Sequence, residues 1–116
     1  MPYNEKLADR IREALVKSVT DIQEKQMFRG LCFMVNDKMC VCVSGDEMMC
    51  RIDPTIWEPL MERDGVRGMY RNNKPIVGYV YVAPDAIKTK KDFDYWIKLC
   101  LDFNAKAKSS KTKKKK

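Results

Sequence analysis

Glu24-Lys25-Gln26-Met27-Phe28-Arg29-Gly30-Leu31-Cys32-Phe33-Met34-Val35-Asn36 reads as two strands meeting at a glycine, followed by a turn that starts on Asn36. Short apolar runs bounded by turn residues are the mark of buried strands. The first strand runs from Ile22 to Phe28, Arg29-Gly30 makes a bend, and the second runs from Leu31 to Val35. Asn36-Asp37 can take the positive φ of a tight hairpin turn, which leads into a third strand, Met39 to Ser44. Gly45-Asp46 turns again, and Glu47 to Ile52 completes four strands of an antiparallel meander.

Outside this block the apolar period changes. Tyr3, Leu7, Ile11, Ala14 and Leu15 recur at helical spacing between charged neighbours, so residues 4–17 form an amphipathic helix capped by Asn4. Asp53-Pro54 opens a second helix that runs to Arg63, with Asp as cap and Pro where its missing N–H costs nothing. Trp57, Leu60 and Met61 point inward, and Pro59 is expected to distort the helix. Val66 to Tyr70 and Gly78 to Val82 are strands separated by a loop over residues 71–75. Pro84-Asp85 is a turn, and a last helix opens at Lys91 or Asp92. Phe93, Trp96, Ile97, Cys100, Leu101 and Asn104 form its inward stripe. The order αββββαββα is that of a single α+β domain, an antiparallel sheet with the terminal helices packed on it.

Composition narrows the classes of function. The chain of 116 residues carries 23 Lys+Arg against 16 Asp+Glu, but seven of the lysines fall in residues 105–116. Residues 1–104 are therefore neutral, with 16 charges of each sign, and the net +7 belongs to the tail. The expected organisation is a domain over 1–104 and a disordered Lys-rich tail over 105–116. No apolar run reaches transmembrane length and no secretory signal opens the chain, so a cytoplasmic protein without membrane association is expected. Its five cysteines are then expected to be reduced thiols.

Candidate chemistry is sparse. The chain has no histidine, which removes the usual general base and the commonest transition-metal ligand. It has no phosphate-binding glycine loop and no nucleophile elbow. No catalytic residue and no cofactor are expected. Cys32, Cys40, Cys42 and Cys50 lie within nineteen residues, but a zinc site takes Cys pairs two to four residues apart. In a regular strand Cys40 and Cys42 share a face about 7 Å apart, too far for one ion. A two-residue turn at Asn36-Asp37 puts Cys32 on the other face, and a three-residue loop puts all three together. Packing is the favoured role, with metal or redox sensing the alternative. Of the methionines, Met39 and Met49 are the ones expected to be exposed, since one side of the meander faces away from the helices.

Met27-Phe28-Arg29-Gly30-Leu31-Cys32-Phe33-Met34-Val35-Asn36 resembles the Met-Phe-Gly-Gly hairpin of the TfoX/Sxy N-terminal domain family. Asn4 to Arg12 in the first helix, Pro75-Ile76-Val77-Gly78-Tyr79-Val80-Tyr81-Val82 and Trp96 resemble its other motifs, in order. Arg29 stands for the first glycine of the family pair and Asp37 for the turn glycine. The resemblance implies the family's fold and a context of competence and transcription regulation in bacteria, with no catalytic residue or cofactor. Full competence regulators carry a further C-terminal domain, so this chain resembles a stand-alone N-terminal domain. Met27, Phe28, Gly30, Phe33, Asn36 and Gly78 are the motif positions, structural or partner-binding. The expected function is a non-enzymatic regulatory module with a protein partner. The alternative is weak, non-specific nucleic-acid binding through Lys106, Lys108, Lys111, Lys113, Lys114, Lys115 and Lys116, and a small enzyme is the third and weakest class.

Overall fold

The computed structural model describes residues 3–27 and 30–106. Phe28 and every tail lysine except Lys106 lie outside the described residues. The order is α1 (Glu5–Val16), β1 (Ile22–Met27), β2 (Gly30–Val35), β3 (Lys38–Ser44), β4 (Glu47–Arg51), α2 (Pro54–Met61), β5 (Val66–Arg71), β6 (Lys74–Val82), a 3-10 turn (Pro84–Ile87) and α3 (Lys90–Asn104). This is the α+β domain read from the sequence.

Local chemistry sets the boundaries. The Asn4 side chain accepts from the N–H groups of Lys6 and Leu7, and Asp53 accepts from Thr55 N–H. Thr89 caps α3, accepting from Asp92 N–H, so this helix begins before the residues expected to open it. α2 runs through Pro59 to Met61. Asn36 and Asp37 both take positive φ, as do Asn72 and Asn73. The second pair turns the expected loop at 71–75 into a hairpin, and β6 starts at Lys74 rather than Gly78. Gly78 keeps a positive φ of 94° inside β6, a conformation that favours glycine.

The six strands form one antiparallel sheet in the order β1-β2-β3-β4-β6-β5. The meander holds through β4. α2 then carries the chain past the position beside β4, so β6 pairs there and β5 becomes the edge.

One large apolar cluster joins the helices to one face of the sheet. It holds Leu7, Ile11 and Leu15 of α1, Trp57 and Leu60 of α2, and Phe93, Trp96, Ile97 and Cys100 of α3. Against them lie Leu31, Phe33, Val35, Val41, Val43, Met48, Val80 and Val82. Leu101, expected to be buried, is half-buried at the margin. Asn104 is the one buried polar side chain among the described residues, and its Nδ2 donates to the Val35 carbonyl (3.1 Å). Lys38 Nζ donates to the Asn104 carbonyl (2.8 Å), so both sides of this residue tie α3 to the β2–β3 turn. Arg12 of α1 pairs with Glu24 of β1 (2.6 Å), anchoring the edge strand.

Gly30 begins β2 because nothing larger fits: a Cβ there would overlap the Val43 carbonyl oxygen of the neighbouring strand. Gly30→Ala is therefore expected to destabilise the fold by roughly 1–3 kcal/mol, the range of changes that force backbone to move. Urea unfolding checks it; a loss under about 1 kcal/mol would show that β2 and β3 are not held this close.

Candidate functional site on the uncovered sheet face

The face of the sheet away from the helices is organised by one extra residue. β2 and β3 leave their turn with Val35 opposite Lys38 and Met34 opposite Met39. Further on, Phe33 is opposite Val41 and Cys32 opposite Cys42. Cys40 is the unpaired residue of a β-bulge. Cys40 and Val41 both join the helix-side cluster, while Met39 and Cys42 face the other way. This corrects the expectation that Cys40 and Cys42 share a face. The turn has two residues, yet the bulge brings Cys32 and Cys42 together and leaves Cys40 on the opposite side.

The result is a row across the sheet, each member directly opposite the next: Lys25, Cys32, Cys42, Met49, Tyr81 and Arg67. Cys32, Cys42 and Met49 form a second buried cluster, with Met39, Met69 and Tyr81 packed on it. Among the described residues no helix contributes to this cluster. Met49, expected to be exposed, has only 1% of its surface accessible, because neighbouring thioethers and the Tyr81 ring lie over it; Met39 is half-buried. The Arg67 guanidinium stacks on Tyr81 at 4.3 Å from the ring centre and pairs with Glu47.

Cys32 and Cys42 are joined by a disulfide, with Cα atoms 4.0 Å apart. The expectation of five reduced thiols is corrected for this pair: its two side chains meet because the bulge sets them directly opposite. The loop closed spans ten residues, for which chain-entropy reasoning gives about 3 kcal/mol of stabilisation. Cys40, Cys50 and Cys100 are free and buried on the helix side. Burial pushes the Cys40 thiol well above its ordinary range. Cys100 is pushed up by its hydrogen bond with Cys50 and then by burial. Cys40 and Cys100 therefore stay protonated and unreactive.

Among the described motif residues, Phe33, Gly30, Asn36 and Gly78 hold positions in the framework. Phe33 is fully buried in the helix-side core, Gly30 allows the close approach to Val43, Asn36 makes the turn, Gly78 takes a positive φ within β6 and Met27 ends β1. Lys106 follows α3 and pairs with Asp53 at the start of α2 (3.2 Å). Phe33, Gly30, Asn36, Gly78 and Lys106 do not belong to the Cys32–Cys42–Met49 cluster. Sequence reasoning missed that set because the strand alternation it relied on is broken by the bulge.

Elsewhere a groove of about 780 Å³ lies between α1 and α3, over Phe93, Ile97 and Leu101. Lys90–Asp94 and Lys98–Asp102 pairs neutralise one another along its rim. Among the described residues no three His, Cys, Asp or Glu side chains converge as an ion site, and no helix is long and apolar enough to cross a membrane.

An antiparallel sheet with helices on one face and a sulfur-rich opposite face defines a small α+β domain. Residues 14–104 match the TfoX N-terminal domain, and the chain belongs to that family. No curated protein and no solved structure matches it.

The cysteine arrangement predicts a stepwise thiol count with an aromatic disulfide reagent. The native, unreduced protein is expected to show no fast-reacting thiol, the unfolded protein three, and the unfolded, reduced protein five. Five thiols on unfolding without reductant would contradict the disulfide.

Proposed function

We propose that the protein is a non-enzymatic regulatory module of the cytoplasm that binds a protein partner through the uncovered sheet face, in the setting of the family's competence and transcription regulators. The observation that carries this reading is the face itself. Its surface is supplied by Met39, Met69, Tyr81 and Arg67 over a dry sulfur core. Tyr, Arg and Met are the residue types enriched where proteins meet, and thioethers adapt to the shape opposite them. The absence of histidine from the chain supports a binding role over a catalytic one.

Pull-downs with three baits test it: the full chain, residues 1–105, and a Tyr81→Ala/Arg67→Ala variant with unchanged circular dichroism. The expected result is one partner held by the first two and lost by the third, because truncating aromatic and Arg anchors commonly costs 2 kcal/mol or more, roughly 30-fold. A partner held equally by the variant would place the contact elsewhere. Nucleic acid captured only by the full chain would favour the tail. If all seven lysines met duplex phosphates, log K would then fall with log salt at a slope near about −6.

A further inference from the structure

We propose that, when Cys32 and Cys42 are thiols, the uncovered sheet face binds one Cu(I) ion between their sulfurs, with Met49 as a thioether ligand. This inference goes beyond the partner-binding reading and stands independently of it. It rests on three observations.

The first is placement. Cys32 and Cys42 face each other close enough to be bonded, and Met49 is directly opposite Cys42 on β4. Two of the donors already converge, and the third is an unbranched side chain on the adjacent strand with three rotatable bonds to reach them. The second is donor chemistry. Met39 and Met69 pack on the same cluster, so the surroundings are sulfur and apolar carbon, with the Tyr81 ring at one side. Thiolate and thioether donors select Cu(I) over harder ions. Zn(II) takes four ligands, usually with more thiolate, imidazole or carboxylate than this set supplies. Glu47, the acid on the neighbouring stretch of β4, is committed to Arg67. The third is environment. Cys32, Cys42 and Met49 are at most 1% exposed, so water is excluded from a bound ion. Two thiolates and one Cu(I) carry a net single negative charge, and Lys25, directly opposite Cys32 on β1, is the cation placed to offset it.

Entry follows from the same packing. Met39, Met69 and Tyr81 are only half-buried, and flexible thioethers can swing aside without opening the sheet. The helix-side thiols do not compete. Cys40 and Cys50 of the sheet and Cys100 of α3 are buried in the helix-side core, and burial together with the Cys50–Cys100 hydrogen bond holds Cys40 and Cys100 protonated, whereas a metal ligand must give up its proton.

The chemistry balances. A dithiol reductant gives two electrons and two protons to the Cys32–Cys42 bond, leaving two protein thiols and an oxidised, disulfide-bonded reductant. Cu(I) then displaces the two thiol protons, which pass to solvent, and no further electron is transferred.

The test uses the full chain, reduced and kept anaerobic, titrated with Cu(I) against a coloured bidentate Cu(I) chelator. One copper per chain is expected, with sulfur as the only near neighbour in X-ray absorption. Cys32→Ser and Cys42→Ser should each weaken binding by more than about 100-fold, beyond what loss of an outer-shell partner costs, and Met49→Leu by about tenfold. Met61→Leu, which alters a helix-side thioether, should leave binding unchanged. Far-UV circular dichroism checks that each variant folds, and the Met49→Leu variant, which keeps both thiols, covers the case in which a cysteine variant does not. Equal copper affinity in wild type and Cys32→Ser, copper held by Cys40, Cys50 or Cys100, or oxidation of Cys32–Cys42 with no copper retained against the chelator would each overturn the proposal.

Discussion

The arrangement of this domain depends on one residue that has no partner. Cys40 stands unpaired in β3, and from that point to Ser44 the alternation of the strand is reversed relative to the turn. Without the bulge, Cys32 would lie opposite Val41, Val41 and Val43 would turn to the uncovered face, and Cys42 would turn to the helix side. With it, Val41 and Val43 enter the core beneath α1 and α3 while Cys42 meets Cys32 on the other side. A single inserted residue thus sorts five cysteines into a bonded pair and a sealed group of three.

The helices complete what the bulge begins. α1, α2 and α3 all bury their apolar stripes against the same face, so nearly all of the large apolar side chains of the domain are committed there. The opposite face is closed only by its own long side chains. Met39, Met69 and Tyr81 lie over Cys32, Cys42 and Met49, and Arg67 stacks on Tyr81 from the edge strand. Side chains that cover a surface by lying along it can rearrange without unfolding a helix, which suits a face that exchanges one contact for another. The proposed partner and the proposed copper ion both draw on that property.

Much of the fold was legible in the sequence because its signals are local. The Asn4 and Asp53 caps, the Asn36-Asp37 turn and the stripes of α1 and α3 each depend on residues within a few positions of one another. The order of the last two strands was not legible, since placing β6 beside β4 is decided by how α2 packs rather than by β5 or β6 themselves. The hairpin at Asn72-Asn73 was hidden by Pro75, which reads as a loop residue but sits in a strand that β4 does not pair at that point. The uncovered face was legible as a location but not as a site. Met49 looked exposed because no helix covers it, and its burial by other side chains is a property of three strands at once. Cys32 and Cys42 are ten residues apart with no spacing motif, so only the register brings them together.

The register itself is the claim to measure, by nuclear Overhauser contacts between Hα protons across β2 and β3 in the reduced protein, where no disulfide imposes the pairing. The bulged arrangement predicts a strong Cys32–Cys42 Hα contact, as expected for directly opposed residues whose Cα atoms are 4.0 Å apart. A Cys32–Val41 contact in its place would mean an unbroken register, with Cys42 on the helix side and no sulfur cluster on the uncovered face.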